Sequence, residues 1–394
     1  MNDRRLIGAA AAVLLLVLLA ILAWRVASGP EAQPRRSTGI GEAIAPDPAG
    51  YRRAEPGTQI RFPRDHGAHP DYQLEWWYLT ANLRTDDGRR FGVQFTIFRN
   101  ALAPPDTTMP DGQSAWSTRQ LYLAHAAITD VESGRFEAVE RLSRGAAGLA
   151  FARAQPLEVR VEDWFIRQTG RETFPAVVSA GTEAFGFELE LSPVKPVVLQ
   201  GDRGYSPKGP DDGQASMYYS YTRLRATGTI RAGDESFRVD GQSWMDREWS
   251  TSFLGPDQIG WDWFSIQLED GRDLMLFQLR TANPSGDAWK EGTLVAADGT
   301  TRRIDPAEFT LEPGRTWASA SSGAAYPVEW RVRVPSESID LNVRAVLDAQ
   351  ELNVSVDYWE GAVDAYSADS ERRSGSGYLE MTGYAASGAI PGME

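Results

Sequence analysis

The chain of 394 residues contains no cysteine. Disulfides, thiolate metal sites, cysteine nucleophiles and a lipid-modified cysteine are thereby excluded. Histidine is nearly missing as well, with only His66, His69 and His125. No G-x-S-x-G elbow occurs, so a hydrolase of that class has no visible nucleophile. The loop Gly204-Tyr-Ser-Pro-Lys-Gly-Pro210 lacks the Lys-Ser/Thr pair that a phosphate cradle requires. Positive charge is outnumbered, 40 Lys and Arg against 54 Asp and Glu, for a net charge of −14. With no concentrated basic patch, nucleic acid is not expected as a partner. Amphipathic helical patterns are scarce, which removes the crossover helices that a parallel α/β sheet needs.

The N-terminus carries a targeting signal. Arg4 and Arg5 precede an uncharged run from Leu6 to Trp24, closed by Arg25. At about 1.5 Å per residue the run can cross a bilayer core of roughly 30 Å, and it is longer than the 7–15 or so residues of a typical signal core. Val26-Ala27-Ser28 still offers small residues for cleavage. Residues 1–28 are therefore read as a membrane anchor or a signal. Either places the remainder in the periplasm or on the extracellular face. Residues 29–58, rich in Gly, Pro, Ala and Arg without periodicity, read as a tether.

From residue 60 onward, short alternating segments are punctuated by turn signals such as DDGR, ESG, EDGR and ADGT. This spacing predicts an all-β protein built as barrels or sandwiches. One hairpin is repeated. WWYLTANL (76–83) runs through a D-G turn into FGVQFTIFR, and WDWFSIQL (261–268) runs through a D-G turn into DLMLFQLR. Side chains alternate across a strand, so Trp76, Tyr78, Thr80 and Asn82 share one face and Trp77, Leu79, Ala81 and Leu83 the other. The second copy presents Trp261, Trp263, Ser265 and Gln267: aromatic, aromatic, hydroxyl, amide again. The repeat implies two related domains, 59–249 and 250–385, joined near STSFLGPDQ.

The densest chemistry lies in GQSWMDREWS (241–250). In a strand, Trp244, Asp246 and Glu248 share one face, and Met245, Arg247 and Trp249 the other. An Asp desolvated among aromatics, or beside a Glu, has a raised pKa and can hold a proton for general-acid work. The competing reading is an interdomain salt-bridge network of Arg247 with both acids. HGAHP offers His66 and His69 near Asp65, Asp71 and Glu75, as a turn-bonding polar network or as metal ligands. Four of the thirteen tryptophans fall between 244 and 263. They form either a core wedge or a wall for an apolar or cationic species.

DHGAHPDYQLEWWYLTANL, GYSPKG, SMYYSY, GQSWMDREWS and GWDWFSIQL together resemble the secreted AttH-like proteins, relatives of the carotenoid 1,2-hydratases, over residues from about 60 to 385. The resemblance implies two lipocalin-like β-barrels in tandem. It also implies an acid-catalysed addition of water to an isoprenoid double bond, with no metal or organic cofactor. SWMDREW matches the region where the hydratases place an acidic residue, so Asp246 is the expected proton donor. Trp244, Trp261 and Trp263 are the expected walls facing the cation. The Trp76–Tyr78 face is expected to point into a barrel or an interbarrel cleft and bind the ligand, with Trp77 packed outward; the alternative is that both faces are core. Two functions compete. One is a hydratase-like catalyst on an isoprenoid or lipid. The other is an extracytoplasmic carrier that hands an apolar ligand to an ABC-type permease. Both work beside the membrane reached by the N-terminal helix.

Overall fold

The structure is a computed structural model that describes residues 49–108, 114, 116–252, 254–255, 257–282 and 288–385. The apolar run Leu6–Trp24 and the proposed cleavage site lie outside the described residues. Among those described, no helix is long and apolar enough to cross a membrane.

The described chain is built of antiparallel strands. The first sheet contains β1 (Leu74–Arg84), β2 (Arg90–Ala101), β3 (Gln120–Asp130), β4 (Arg135–Arg144), β5 (Ala150–Ala154), β6 (Leu157–Val161) and β7 (Trp164–Gln168). It continues with β8 (Ala176–Gly181), β9 (Phe185–Pro193), β10 (Val198–Leu199), β11 (Tyr205–Pro207), β12 (Ala215–Ala232) and β13 (Glu235–Ser252). Their order is β4-β3-β2-β1-β13-β12-β9-β8-β7-β6-β5. The sheet curls until its ends meet: Arg141 of β4 lies 4.3 Å over the Trp164 ring of β7, and Trp164 meets Phe95 of β2 edge-on at 6.2 Å.

The second sheet is built from β14 (Gln258–Leu268), β15 (Asp273–Thr281), β16 (Trp289–Val295), β17 (Thr301–Ile304) and β18 (Thr310–Pro313). A separate ribbon follows, β19 (Thr316–Ala318) with β20 (Ala325–Pro327). The sheet then resumes with β21 (Glu329–Val334), β22 (Ile339–Ala345), β23 (Glu351–Asn353), β24 (Asp357–Ser367) and β25 (Arg373–Met381). The order is β17-β16-β15-β14-β25-β24-β22-β21-β18, and Phe264 meets Trp330 edge-on at 5.4 Å inside the curl. The two curled sheets are tandem lipocalin-like barrels, as the family resemblance implies; the strand spacing by itself predicts only barrels or sandwiches.

The repeated hairpin opens both sheets. β1 turns into β2 and β14 into β15, each at a glycine with positive φ, Gly88 at +95° and Gly271 at +88°. Such backbone favours glycine, which has no Cβ to clash. β1 then pairs with β13 and β14 with β25, the last strand of its own sheet.

The strand faces sort by chemistry. Trp77, Leu79, Ala81 and Leu83 enter the first core, and Phe264, Ile266 and Leu268 the second. Trp77 therefore packs inward, not outward, because the purely apolar face of β1 is the one a barrel interior stabilises most. Residues Tyr51 and Ala54, within the expected tether, are also buried: the Tyr51 hydroxyl donates to Ala101 O at 3.0 Å and Ala54 joins the Tyr72–Trp249 cluster.

Candidate active site

The outer faces of the two hairpins look at each other. The lower, polar half of each face joins the sheets. Asn82 Nδ2 donates to Gly377 O at 3.1 Å, and Gln267 Nε2 donates to Thr222 O at 2.8 Å and Ser243 O at 3.0 Å. Around them, Arg90 bonds both oxygens of Asp364 at 2.9 and 2.8 Å, and Asp273 pairs with Lys195 at 2.8 Å and Arg223 at 2.6 Å. Gly92 sets the spacing, since a Cβ there would stand 2.6 Å from the Tyr378 hydroxyl and 3.0 Å from Ala362 Cβ.

The upper, aromatic half opens into a cavity. Its volume is about 110 Å3. One ordered water needs roughly 10–15 Å3 on that measure. Trp76, Tyr78 and Phe98 form one wall and Trp261, Trp263 and Phe277 the other. Tyr78 meets Trp263 edge-on at 5.1 Å, and Trp244 meets Trp263 at 6.1 Å.

Asp246 sits in this cavity, delivered by the outward alternation of β13 opposite Tyr78. Its Oδ1 accepts from Ser220 Oγ at 2.5 Å and Trp244 Nε1 at 2.7 Å, and its Oδ2 accepts from Tyr218 at 2.7 Å. Trp263 Nε1 in turn donates to the Tyr218 hydroxyl at 3.2 Å. Burial pushes the Asp246 carboxyl up to about 7, with Glu248 adding to the shift and the three donors holding it back. Glu248 on the same face is committed elsewhere: it pairs with Lys208 at 3.1 Å and accepts from Ser216.

A second acidic group faces Asp246 from the other sheet. Glu360 of β24 and Glu380 of β25 are direct cross-strand partners, and both line the cavity. Burial and mutual repulsion hold Glu360 well above the carboxylate range. Burial also pushes Glu380 up to about 8, with Asp246 and Glu248 contributing and Trp261 opposing. Tyr78, Tyr358 and Gln94 surround Glu360, yet its Oε1 has no partner in hydrogen-bonding geometry. From Tyr358 a chain leads outward: its hydroxyl bonds His125 Nδ1 at 2.8 Å, and His125 Nε2 bonds Glu140 at 3.1 Å. The Glu140 side chain is 19% exposed, so the chain ends in solvent.

The sequence-selected residues thus meet at one place. Trp76, Tyr78, Trp261, Trp263 and Asp246 line the cavity, and Trp244 stands behind it as a donor to Asp246. Sequence reasoning missed Glu360, Glu380, Tyr218, Tyr358 and His125. A signal for most of them existed in the repeat. Tyr78 pairs with Asp246 as Trp263 pairs with Glu380, and Asp246 pairs with Ser220 as Glu380 pairs with Glu360. Asp246 and Glu380 are therefore equivalent positions, as are Ser220 and Glu360, and Tyr218 and Tyr358.

The inner face of the same motif does structural work. Arg247 does not bridge Asp246 and Glu248, because it points into the first barrel. There Glu75 accepts from Arg247 and Arg99, all three fully buried, and Arg247 lies 3.8 Å over the Trp77 ring. Burial opposes the Glu75 charge, but the two guanidiniums hold its carboxyl well below the usual range. His69 bonds Glu75 and stacks on Trp249 at 3.9 Å; His66 bonds Tyr219 at 2.6 Å and is pushed down to about 4 by burial and Arg247. Among the described residues no group of three or more His, Asp or Glu is placed to hold a metal ion.

Two lipocalin-like barrels enclosing an acidic, aromatic cavity between them define the class. The AttH-like family model matches residues 53–384, and the chain belongs to that family. A crystal structure of a protein assigned to AttH from Nitrosomonas europaea is 36% identical, with a TM-score of 0.75 over 85% of this chain and 99% of that one. Kievitone hydratase from Nectria haematococca shares the fold at 14% identity, with a TM-score of 0.63 over 88% of this chain and 99% of the other. No curated protein matches the chain.

Proposed function

We propose that the protein adds water to a carbon–carbon double bond of an apolar isoprenoid or lipid, with Asp246 as the acid. The observation that carries this reading is the Asp246 carboxyl itself, buried in an aromatic cavity, held by three donors and paired with no cation. Its raised pKa keeps a proton available near neutrality. Transfer of that proton to one alkene carbon leaves a tertiary cation on the other, between the faces of Trp76, Trp261 and Trp263, where ring quadrupoles favour positive charge. Water then attacks the cation and gives up a proton to the Asp246 carboxylate left by the first step, which restores the acid. The balance is one water added, with no oxidant, reductant or cofactor.

The hydratase neighbour supports the scaffold's capacity for a cavity of this kind. The apolar N-terminal run supports action at the extracytoplasmic membrane surface, where such ligands partition. The test is incubation with prenylated phenols and acyclic isoprenoids in water labelled with oxygen-18. Product heavier by one labelled water, lost in Asp246→Asn while ligand binding persists, is the expected result. A ligand that binds and is released unchanged by the wild type refutes hydration and identifies a carrier.

A further inference from the structure

Most buried acids of this protein pair with a cation, while Asp246 and Glu351 are held by several neutral donors instead. Glu75, Glu248, Asp273 and Asp364 each pair with a lysine or arginine. Glu360 and Glu380 do not. Among the described residues neither makes an ion pair, although they stand directly opposite one another on adjacent strands. Like charges in that position repel. The polar atoms around them are incompletely paired: Glu360 Oε1, Gln94 Oε1 and the Tyr78 hydroxyl are all buried without a partner in hydrogen-bonding geometry. Among the described residues no positive charge accompanies the pair.

The cavity shows how it holds one. Lys208 Nζ lies 4.2 Å over the Phe277 ring and 5.2 Å over Tyr218, while pairing with Glu248 at 3.1 Å. An ammonium on aromatic faces, closed by a carboxylate, is thus already present on the first-sheet side. The Glu360–Glu380 side has the same components, with Trp261 and Trp263 beside the acids, but no ammonium of its own.

We propose that the cavity binds an organic cation: a tertiary or quaternary ammonium on an apolar body, seated between the Glu360–Glu380 pair and the tryptophan walls. Aromatic cages favour such alkylated cations, whose charge is spread over carbon and poorly hydrated. The groups facing the pair fit this assignment. From the first sheet, Tyr78 and Tyr218 are held neutral by burial, Asp246 adds negative character, and Glu248 is neutralised by Lys208. His125 is engaged by Tyr358 and Glu140. From the second sheet, Tyr358 and Tyr378 are also held neutral. An entering cation favours the ionised pair, so binding near neutrality expels a proton and tightens as the pH rises. The proposal needs no hydration chemistry.

The test uses phenyltrimethylammonium and tert-butylbenzene, which differ only in nitrogen for carbon and the charge. Calorimetry and tryptophan fluorescence are run on the full chain in detergent micelles, with no alkene present. The expected result is at least tenfold tighter binding of the ammonium, rising between pH 6 and 9. Titrations in buffers of different ionisation enthalpy should show release of about one proton at pH 7. Glu380→Gln and Glu360→Gln should each remove the tenfold preference and the proton release, while tert-butylbenzene binding is kept. The proposal is overturned if the two probes bind equally, if neither binds, if affinity is flat with pH, or if both variants keep the preference. None of these outcomes bears on whether Asp246 protonates an alkene.

Discussion

Replacing Glu380 by Gln should reshape how stability depends on pH. In the folded protein the Glu380 carboxyl is raised from 4.5 to about 8, chiefly by burial. A carboxyl raised on folding holds its proton more tightly folded than unfolded. Its stabilising contribution is therefore complete below about pH 4.5 and is lost as the pH climbs through about 8. At about 1.4 kcal/mol per pH unit the loss has a ceiling of about 5 kcal/mol, and water entering the cavity lowers this to on the order of 2–4 kcal/mol. Glutamine keeps the shape and cannot ionise. The assay is urea unfolding, followed by tryptophan fluorescence, of wild type and variant from pH 4.5 to 9. At pH 5 the two should agree to within about 1 kcal/mol, the scale of one exchanged hydrogen bond. At pH 8.5 the variant should be the more stable by on the order of 2–4 kcal/mol. Asp246 and Glu360 remain in both proteins, so the difference between the curves isolates the pair. Parallel curves across the whole range would refute the claim that Glu380 is buried at the cost of its charge.

Glu75→Ala strands Arg99 and Arg247 in the first barrel and should cost about 3–5 kcal/mol, read as a lowered urea midpoint; a loss under 1 kcal/mol would show that water reaches the guanidiniums. Trp263→Ala, at the packed junction with Tyr78 and Trp244, should cost about 3–5 kcal/mol. Trp76→Ala, on the partly exposed wall, should cost less yet weaken binding of an apolar fluorescent probe; equal stability losses would place both in the core. Gly92→Ala forces the Tyr378 hydroxyl aside and should cost about 1–3 kcal/mol, with faster proteolysis between the sheets.

Much of this arrangement is legible in the letters because strands obey a period of two. The alternation of 76–83 separates a core face from an interface face, and its repeat at 261–268 announces the second barrel. Asp246 is legible because its motif sets it beside tryptophans. Which way the faces turn is not legible: Trp76 and Trp77 are the same residue type, and only closure of the sheet decides which is inside. Glu360 and Glu380 are hidden for a different reason. YWEGAV and GYLEMT read as ordinary strand segments, and their acids converge only through a register set by hydrogen bonding between strands close in space but distant from Asp246 in the chain. Arg247 misled because its nearest acids in sequence, Asp246 and Glu248, point the opposite way, while its partner Glu75 lies 172 positions earlier.

The near-twofold relation of the two hairpins has a consequence for what the cavity can become. In a dimer of identical barrels, every residue on one wall would recur on the other. An acid at the position of Asp246 would face its own copy, and the two would titrate alike. Joining the barrels in one chain lifts that restriction. One wall now carries a single Asp beside a serine, and the other a Glu beside a second Glu. Tyr78 faces Trp263 where symmetry would demand like for like. The two walls are thereby free to be inherited, and altered, independently: a substitution at Glu360 changes one side of the cavity without an echo at Ser220.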